Sequence, residues 1–307
     1  MQQYIMLTEE KPHTDQANGT PKTGARWGQD RRLEFIEYRL RWGGHLNRSD
    51  LTAFFGISIP QASLDITEYT RRAPANLEYD KSTRTYVAGS GFQPIFPASN
   101  LDRYLDDLMR SASGADKLGD SFLGWHPPIA LTPRPSRNLD PFMVATIVRT
   151  IREGSALRVQ YQSLSRPLAD SRTLTPHALA HDGWRWHIRA YCHSRQDFRD
   201  FVISRILGVE GVEPDRPRGD ADGAWHCILR VVLAPHPKLS EAHQRAIELD
   251  YGMTKGVCEF ECRQALLFYV LRQLGLDRDL NRSPEDQQVV LSNRDELSAF
   301  LPKTEFR

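Results

Sequence analysis

The chain has 307 residues, of which 40% are hydrophobic and 26% charged, with a formal net charge of +1. This composition is typical of a globular protein with two or three domains. No apolar run approaches the roughly 18 residues of a membrane helix, and the polar amino terminus lacks the basic and apolar regions of a signal peptide, so we expect a cytoplasmic protein with no membrane partner.

The amino-terminal region is predicted to be a tail followed by a helix. Residues 1–25 are polar and are expected to be disordered. From Trp27 to about Trp42, apolar residues recur between charged ones with the period of an amphipathic helix. Gly43 and Gly44 are expected to end that helix.

Two further helices joined by a short turn are predicted after this first one. Asn47 or Ser49 can cap the first of the pair, and Gly56 supplies the turn that follows it. Ser58 can cap the second helix, and Pro60 lies at its start, where a missing N–H costs nothing. This spacing resembles a helix-turn-helix.

A hairpin is predicted after the second helix, which runs to about Arg72. Residues 76–87 read as two short alternating strands around a polar turn. Three helices and a hairpin make a winged helix-turn-helix DNA-binding domain, placed at residues 26–90, in which the second helix of the pair lies in the major groove. The candidate DNA contacts are side chains near the start of that helix and nearby cations that can hold phosphates. Gln61 and Ser63 are the candidate base readers. The full set is Arg48, Ser58, Pro60, Gln61, Ser63, Thr67, Arg71, Lys81 and Arg84. For each charged residue singly, the alternative is a solvated surface side chain.

Residues 91–139 are predicted to be a helical and proline-rich linker. Leu101, Tyr104, Leu105 and Leu108 have the spacing of one short helix. The stretch beyond it is irregular and rich in proline. Its tryptophan and leucine content indicates that it packs partly on its neighbours.

The next region, residues 140–210, is predicted to be a helix followed by a small sheet. The helix runs from Pro141 to about Glu153 and ends at Gly154. Four strands separated by short turns then suit a strongly bent antiparallel sheet or barrel. The first, second and fourth of them are Ala156–Ser163, Ser171–His181 and Phe198–Ser204.

The third strand of this set follows Asp182-Gly183, a pair that favours a type I′ hairpin turn. Beyond the turn the side chains alternate between two faces. One face is apolar and is expected to lie in the core: Trp184, Trp186, Ile188 and Ala190. The other carries Arg185, His187, Arg189 and Tyr191, groups that are costly to place anywhere except at water or at an anionic ligand.

The carboxy-terminal region, residues 223–307, is predicted to be a compact α+β domain, so the whole chain is classed as α+β and multidomain. Strands and helices are expected to alternate along it in this order: strand Trp225–Leu233, helix Pro237–Leu249, strand Gly256–Cys262, helix Gln264–Leu274, strand Gln288–Leu291 and helix Asp295–Leu301.

Four blocks of the middle region resemble the successive blocks of a WYL domain: residues 161–165, 172–179, 183–192 and 199–206. The Trp-Tyr-Leu triplet that names the family stands here as Trp186-His187-Ile188, with its tyrosine replaced. The order of winged helix-turn-helix, WYL domain and carboxy-terminal WCX-type extension resembles the WYL-domain transcriptional regulators. It is most similar to the BrxR and CapW group of phage-defence-island repressors.

The resemblance implies an Sm-like (SH3-type) barrel that binds a nucleotide or nucleic-acid fragment and thereby controls DNA binding by a homodimer. Carried over by position, the ligand site comprises Tyr161, Ser163, Ser165, Arg172, His177, His187, Arg189, Arg199 and Arg205. Converging arginines suit phosphate. The alternative is that Arg172 pairs with Asp170, and Arg199 with Asp197 or Asp200, as ordinary surface ion pairs.

The function expected is a repressor that binds an inverted-repeat operator on double-stranded DNA and regulates an anti-phage defence locus. One alternative is a nuclease or nucleotide hydrolase, and another is a nucleic-acid-binding adaptor with no promoter of its own. The sequence has no P-loop, Gly-x-Ser-x-Gly or His-Glu-x-x-His motif, so no enzyme is expected. Cys258 and Cys262 lack a second pair of zinc ligands, so neither a metal nor a cofactor is expected.

Overall fold

The computed structural model describes residues 23–114, 121–133, 135, 138–216, 218–277 and 282–301. The chain divides into two compact units, residues 1–134 and 135–307. Of the predicted tail, residues 1–22 lie outside the described residues, and Thr23 already belongs to the first helix. Among the described helices, none is long and apolar enough to cross a membrane.

The first unit is a winged helix-turn-helix, as predicted. Its three-stranded antiparallel sheet has the order β1-β3-β2, in which β2 and β3 form the wing. Its elements in chain order are α1 (Thr23–Gly43), β1 (His45–Leu46), α2 (Arg48–Phe55), α3 (Ile59–Arg72), β2 (Leu77–Asp80), β3 (Thr85–Ala88) and α4 (Leu101–Ala112).

Local capping sets the ends of α2 and α3. Asn47 is the N-cap of α2, and its backbone N–H donates to Asp50 Oδ2 at 2.6 Å in a capping box. Gly56, at a φ of 64°, ends the helix in the left-handed conformation that glycine adopts without strain. The Ser58 hydroxyl then caps α3 by accepting from the Gln61 N–H.

A buried carboxylate joins α1 to the chain that follows the wing. Glu37 is fully buried, and its two oxygens accept hydrogen bonds from the Tyr69 hydroxyl, the Ser99 hydroxyl and two backbone N–H groups. These N–H groups belong to Ile95 and Phe96, and both donate at 2.8 Å. Every bond satisfies a group that burial would otherwise leave unpaired, so the start of the linker is held on the domain.

The middle region consists of one helix and a five-stranded antiparallel sheet of order β7-β6-β5-β4-β8. One face of the sheet packs under the helix through a core that includes Ile147, Leu157, Leu174, Ile188 and Ala190. The elements are α5 (Pro141–Glu153), β4 (Ala156–Tyr161), β5 (Asp170–His181), β6 (Trp186–Cys192), β7 (Asp197–Val202) and β8 (Ile206–Glu213).

The expected closed barrel is wrong, because this sheet is open. Its edges are β7 and β8, and within the described chain no strand pairing joins the two. A single 3₁₀ turn, Ile203–Arg205, carries the chain from one edge strand into the other, and β8 pairs with β4. The register shifts where β8 pairs with β4, which bends the sheet without closing it. β8 was missed in the sequence because Gly208 and Gly211 interrupt its apolar pattern.

The expected core position of Trp184 and Trp186 is also wrong. Both side chains are about half exposed, at 55% and 47%, because the end of the β5–β6 hairpin projects past the core, which begins at Ile188. In the turn only Gly183 has a positive φ, of 84°, whereas Asp182 does not. The type I′ turn, which needs a positive φ at both residues, is therefore not formed.

The carboxy-terminal region is built on the three-stranded antiparallel sheet β10-β9-β11. Its elements are α6 (Gly223–His226), β9 (Ile228–Pro235), α7 (Glu241–Asp250), β10 (Cys258–Arg263), α8 (Leu267–Gln273) and β11 (Val289–Leu291). The strand predicted from Trp225 starts only at Ile228, because Asp222 caps the short helix α6. The helix predicted at residues 295–301 forms turns instead.

Candidate DNA interface and sensor site

Helix α3, the second helix of the helix-turn-helix, presents one exposed face. Its buried side carries Ala62, Ile66 and Tyr69 against the core of the first unit. Pro60, Leu64, Thr67 and Arg71 follow helical spacing on the opposite side and are exposed. Ser58, Ile59 and Arg72 are exposed at the two ends of the helix.

The two predicted base readers are already engaged inside the domain. Gln61 donates through Nε2 to Asp65 Oδ1 at 3.1 Å, and that buried carboxylate also pairs with Arg32 at 2.6 Å. Ser63 donates to the Ile59 carbonyl at 3.0 Å and accepts from Arg48 Nε at 2.9 Å. Gln61 therefore bonds within α3 to the carboxylate that Arg32 of α1 holds, and Ser63 links α3 to Arg48 of α2.

Some of the cations predicted to contact phosphates are already bonded within the protein, and others are not. Arg48 lies over the Tyr86 ring, 5.3 Å from its centroid, and so links α2 to the wing. Arg71 pairs with Glu68 through two hydrogen bonds of 2.8 Å, and these, with a further hydrogen bond from Arg72, lower the pKa of that carboxyl to about 2. Lys81 and Arg84 lie exposed at the tip of the wing, and no ion pair of theirs occurs among the described residues.

The second face of β6, opposite the core, is buried by the chain that enters the carboxy-terminal region. Arg189 is only 7% exposed, and its guanidinium donates from Nε and Nη2 to Asp222 at 2.7 and 3.1 Å. Nη1 also lies 3.3 Å from Asp200. The cation expected at an anionic ligand is therefore neutralised by two internal carboxylates.

Arg189, Asp200 and Asp222 belong to a buried polar layer on this face of the sheet, and two histidines belong to it as well. His177 Nε2 lies 2.9 Å from Asp222 Oδ2, and His187 Nε2 lies 2.9 Å from Asp182 Oδ2. Tyr269, on α8, donates to Asp200 at 3.0 Å and packs against the His187 ring. The polar face of the sheet is thus a set of hydrogen bonds that ties the WYL-like region to the carboxy-terminal region.

Burial and hydrogen bonding shift the pKa values of this layer in opposite directions. Burial lowers the pKa of His177, and this outweighs the opposite effect of Asp222. Burial alone would raise the pKa of Asp222, but Arg189 and His177 outweigh it and hold that pKa below its usual range. Asp182 behaves like Asp222: burial would raise its pKa, but bonds from His187 and two backbone N–H groups lower it. These shifts favour ionised Asp182 and Asp222 beside a neutral His177.

A second group of predicted ligand residues lies at the end of β4. Arg172 is 8% exposed and lies over the rings of Tyr161 and Phe201, at 5.5 and 5.9 Å from their centroids. Asp170 accepts from Arg172 Nε at 3.2 Å and also pairs with Arg166 at 2.7 Å. Two guanidiniums thus share one carboxylate, which leaves this corner of the sheet with excess positive charge.

The other residues of the predicted ligand site lie either next to the corner formed by Arg166, Asp170 and Arg172 or away from it. The Ser163 and Ser165 hydroxyls are 3.3 Å apart in the loop after β4, and the Arg205 carbonyl accepts from the Gln162 N–H. The Tyr161 hydroxyl is used internally, since it accepts from the Val202 N–H at 3.2 Å. Arg199 is exposed on the edge strand β7 with Asp197 at 3.6 Å, so it forms the surface pair given as the alternative.

Several residues that connect the five-stranded sheet to the chain after it were not identified from the sequence. Asp222 and Asp215 lie in a stretch interpreted only as a break between domains, and Asp215 accepts from Thr175 on β5 and from Arg218. Tyr269 lies in an apolar helix whose pattern predicts only packing. Within the described ranges, no group of three His, Cys, Asp or Glu residues could hold a metal ion.

Family models match all three parts of the chain. The model described as "BrxR transcriptional regulator winged helix-turn-helix domain" matches residues 28–110. The model described as "WYL domain" matches residues 143–210. The model described as "BrxR transcriptional regulator, C-terminal dimerization domain" matches residues 228–297.

Three relatives match nearly the whole chain, and each is described as a DNA-binding transcriptional repressor CapW. The protein from Pseudomonas aeruginosa is 52% identical over 96% of this chain and 99% of its own length. The protein from Escherichia coli (strain KTE188) is 51% identical over 91% of this chain and 94% of its own length. The protein from Stenotrophomonas maltophilia is 44% identical over 93% of this chain and 96% of its own length.

Proposed function

The chain belongs to the CapW family of WYL-domain transcriptional regulators, and we propose that it is a homodimeric repressor that binds an inverted-repeat operator. The family predicted from the WYL-like blocks and the domain order is thereby confirmed. We further propose that named residues of the first unit contact DNA, and that a ligand bound at the end of β4 in the five-stranded sheet controls DNA binding.

The observation that carries the proposal is the exposed face of α3 beside an exposed basic wing. A recognition helix must leave one face free for the major groove, and α3 buries its opposite side in the domain core. Lys81 and Arg84, at the wing tip, supply charge for the neighbouring phosphates. Arg48 positions both elements, because it contacts Ser63 on α3 and Tyr86 on β3.

Dimerisation would place two such faces on one duplex. The carboxy-terminal region matches a dimerization domain over residues 228–297. A two-fold dimer binds two half-sites related by the same symmetry, hence an inverted repeat. The regulated genes would be those of an anti-phage defence locus, as the resemblance to the BrxR and CapW group implies, and the protein would act in the cytoplasm.

The effector would bind at the end of β4, where Arg166 and Arg172 share the carboxylate of Asp170. A nucleotide or nucleic-acid fragment suits this corner, because phosphate oxygens pair with guanidinium groups in a bidentate way. His187 and Arg189 are proposed to influence the response to the effector without contacting it. The buried layer to which they belong connects the five-stranded sheet to the carboxy-terminal region. A ligand controls DNA binding only if it binds one arrangement of the protein more tightly than the other.

Competition binding tests the proposal. Purified protein is titrated against DNA from upstream of its own gene and against a shuffled duplex of equal length at about 150 mM salt. The expected result is a preference of at least about 1,000-fold for one upstream site, with protection of an inverted repeat in a footprint. Equal affinity for both duplexes contradicts the proposal.

A pair of variants separates sensing from DNA binding. Arg172→Met should leave operator binding intact and abolish its response to short oligonucleotides. Arg199→Met is the matched control, because Arg199 is exposed and pairs only with Asp197 among the described residues. The assignment of the sensor corner fails if Arg172→Met responds as the native protein does, or if both variants lose the response equally.

A further inference from the structure

We infer that α3 recognises the thymine methyl groups of its operator through Ile59 and Leu64. The inference rests on the proposed function and specifies it, since it names the base feature that is read and the two side chains that read it. Neither residue was among the DNA contacts predicted from the sequence.

Ile59 and Leu64 are unusually exposed for large apolar residues. Ile59 is 65% exposed at the first residue of α3, and Leu64 is 62% exposed on the face of α3 that the domain core leaves free. Thr67 and Pro60 lie on the same face and add further hydrocarbon. Keeping such surface in water is unfavourable by about 25 cal/mol per Å², so a partner that covers it gains free energy.

The polar groups on this face are directed back into the protein. The Ser63 hydroxyl donates to the Ile59 carbonyl, and the Thr67 hydroxyl donates to the Ser63 carbonyl at 2.9 Å. Gln61 is bonded to the buried carboxylate of Asp65. The first three turns of α3 therefore offer an incoming duplex few free donors and a mostly hydrocarbon surface.

The partner favoured by this surface is DNA, because it is flanked by cations. Arg48 donates to Ser63 on α3 and to Tyr86 on β3 of the wing, and Lys81 and Arg84 lie exposed at the tip of that wing. In the major groove the C5 methyl group of thymine is the one apolar feature of a base edge, and apolar side chains contact it. Ile59 and Leu64 fit that feature, so each half-site should contain thymines opposite the start of α3.

Deoxyuridine substitution tests the inference, because it removes the C5 methyl group and leaves base pairing unchanged. Each thymine of the footprinted half-sites is replaced in turn, and the affinity of the native full-length protein is measured. Burial of one methyl group predicts a loss of about fourfold in affinity at each contacted thymine. At least one such position is expected in each half-site.

Variants assign the effect to the two side chains. Ile59→Ala and Leu64→Ala should each bind the thymine operator more weakly and show no further loss when deoxyuridine replaces the thymine that the missing side chain contacts. Ile95→Ala is the matched control, because Ile95 is 43% exposed in the same unit but lies outside α3. It should lose the same fourfold as the native protein.

Two results would overturn the inference. One is native binding that differs by less than about twofold between thymine and deoxyuridine at every position, which leaves the repressor proposal standing. The other is equal sensitivity to deoxyuridine in the native protein and in both α3 variants. If the native protein prefers no upstream site at all, the proposed function fails together with the inference.

Discussion

At the scale of single residues, Arg189 links the five-stranded sheet β7-β6-β5-β4-β8 to the chain that enters the carboxy-terminal region. Its guanidinium and the two carboxylates of Asp200 and Asp222 are all nearly buried. A buried charge that loses its partner is strongly destabilising, whereas an exposed pair contributes little. The conspicuous cation of β6 is thus a structural link between two regions.

Arg189→Met should lower the free energy of unfolding by about 3–5 kcal/mol, because it leaves Asp222 buried without its bidentate partner. Denaturant unfolding, followed by tryptophan fluorescence, measures the change. Arg199→Met, the control on the neighbouring strand, should change stability by at most about 1 kcal/mol. Similar small effects of the two substitutions would show that the Arg189 pair is not a structural link.

His177 predicts a loss of stability in mild acid. Burial lowers its pKa, and the groups that face it are Asp222, Arg189 and His226. The unfolded chain, with a histidine pKa near 6.5, therefore takes up a proton before the folded protein does, so stability falls as the pH drops below about 6.5. The slope from this group is at most about 1.4 kcal/mol per pH unit.

His177→Gln isolates that contribution, because an amide N–H can still donate to Asp222 and does not titrate. Between pH 7.5 and 5.5 the variant should lose less stability than the native protein. Asp182 and Asp222, whose pKa values are lowered, lose their contribution only as the pH falls below about 4, so they do not confuse the comparison. Identical pH profiles would contradict the role of His177.

The partners of these residues could not be predicted from the sequence. The alternation of β6 correctly separates Ile188 and Ala190 from His187 and Arg189, because strand periodicity is local. Asp222 lies 33 positions after Arg189, and nothing in the local pattern indicates that the two meet. The exposed position of Trp184 was missed for the same reason, since the extent of the core depends on tertiary packing.

At the scale of elements, the helices of the first unit were predicted closely because their signals are local. Asn47, Gly56 and Ser58 act at the ends of α2 and α3 as their residue types indicate. The later elements were predicted less well. Asp222 starts a helical turn where a strand is expected, and β8 depends on pairing with β4, some 50 residues earlier.

The wing should contribute charge without sequence preference. In the double variant Lys81→Gln and Arg84→Asn, the slope of log affinity against log salt should become shallower by about 2, or 0.9 for each lost phosphate contact. Asparagine is chosen because Arg84 lies at a φ of 55°, which asparagine tolerates. The preference for operator over shuffled DNA should persist.

Arg149→Gln, on the exposed side of α5, is the control for this measurement and should leave the salt slope unchanged. The wing is not a phosphate contact if the double variant has the native slope. It is a base-reading element instead if the double variant loses its preference for the operator.

At the scale of the whole molecule, the symmetry of the proposed dimer determines the distance between the two half-sites of the operator. Two half-sites bound by one dimer lie about one helical turn apart, or a multiple of it. Inserting five base pairs between the half-sites turns one of them to the opposite side of the duplex, and should reduce affinity to that of a single half-site. Unchanged affinity in a gel-shift titration would mean that the two DNA-binding domains act independently.

Repression itself is the central claim, and transcription with purified components tests it most directly. The promoter upstream of the gene and an unrelated promoter are transcribed by RNA polymerase with increasing amounts of the native protein. The expected result is a loss of transcript from the first promoter at concentrations that protect the operator, with no change from the second. Unchanged or increased transcription from the first promoter at full occupancy would contradict the assignment as a repressor.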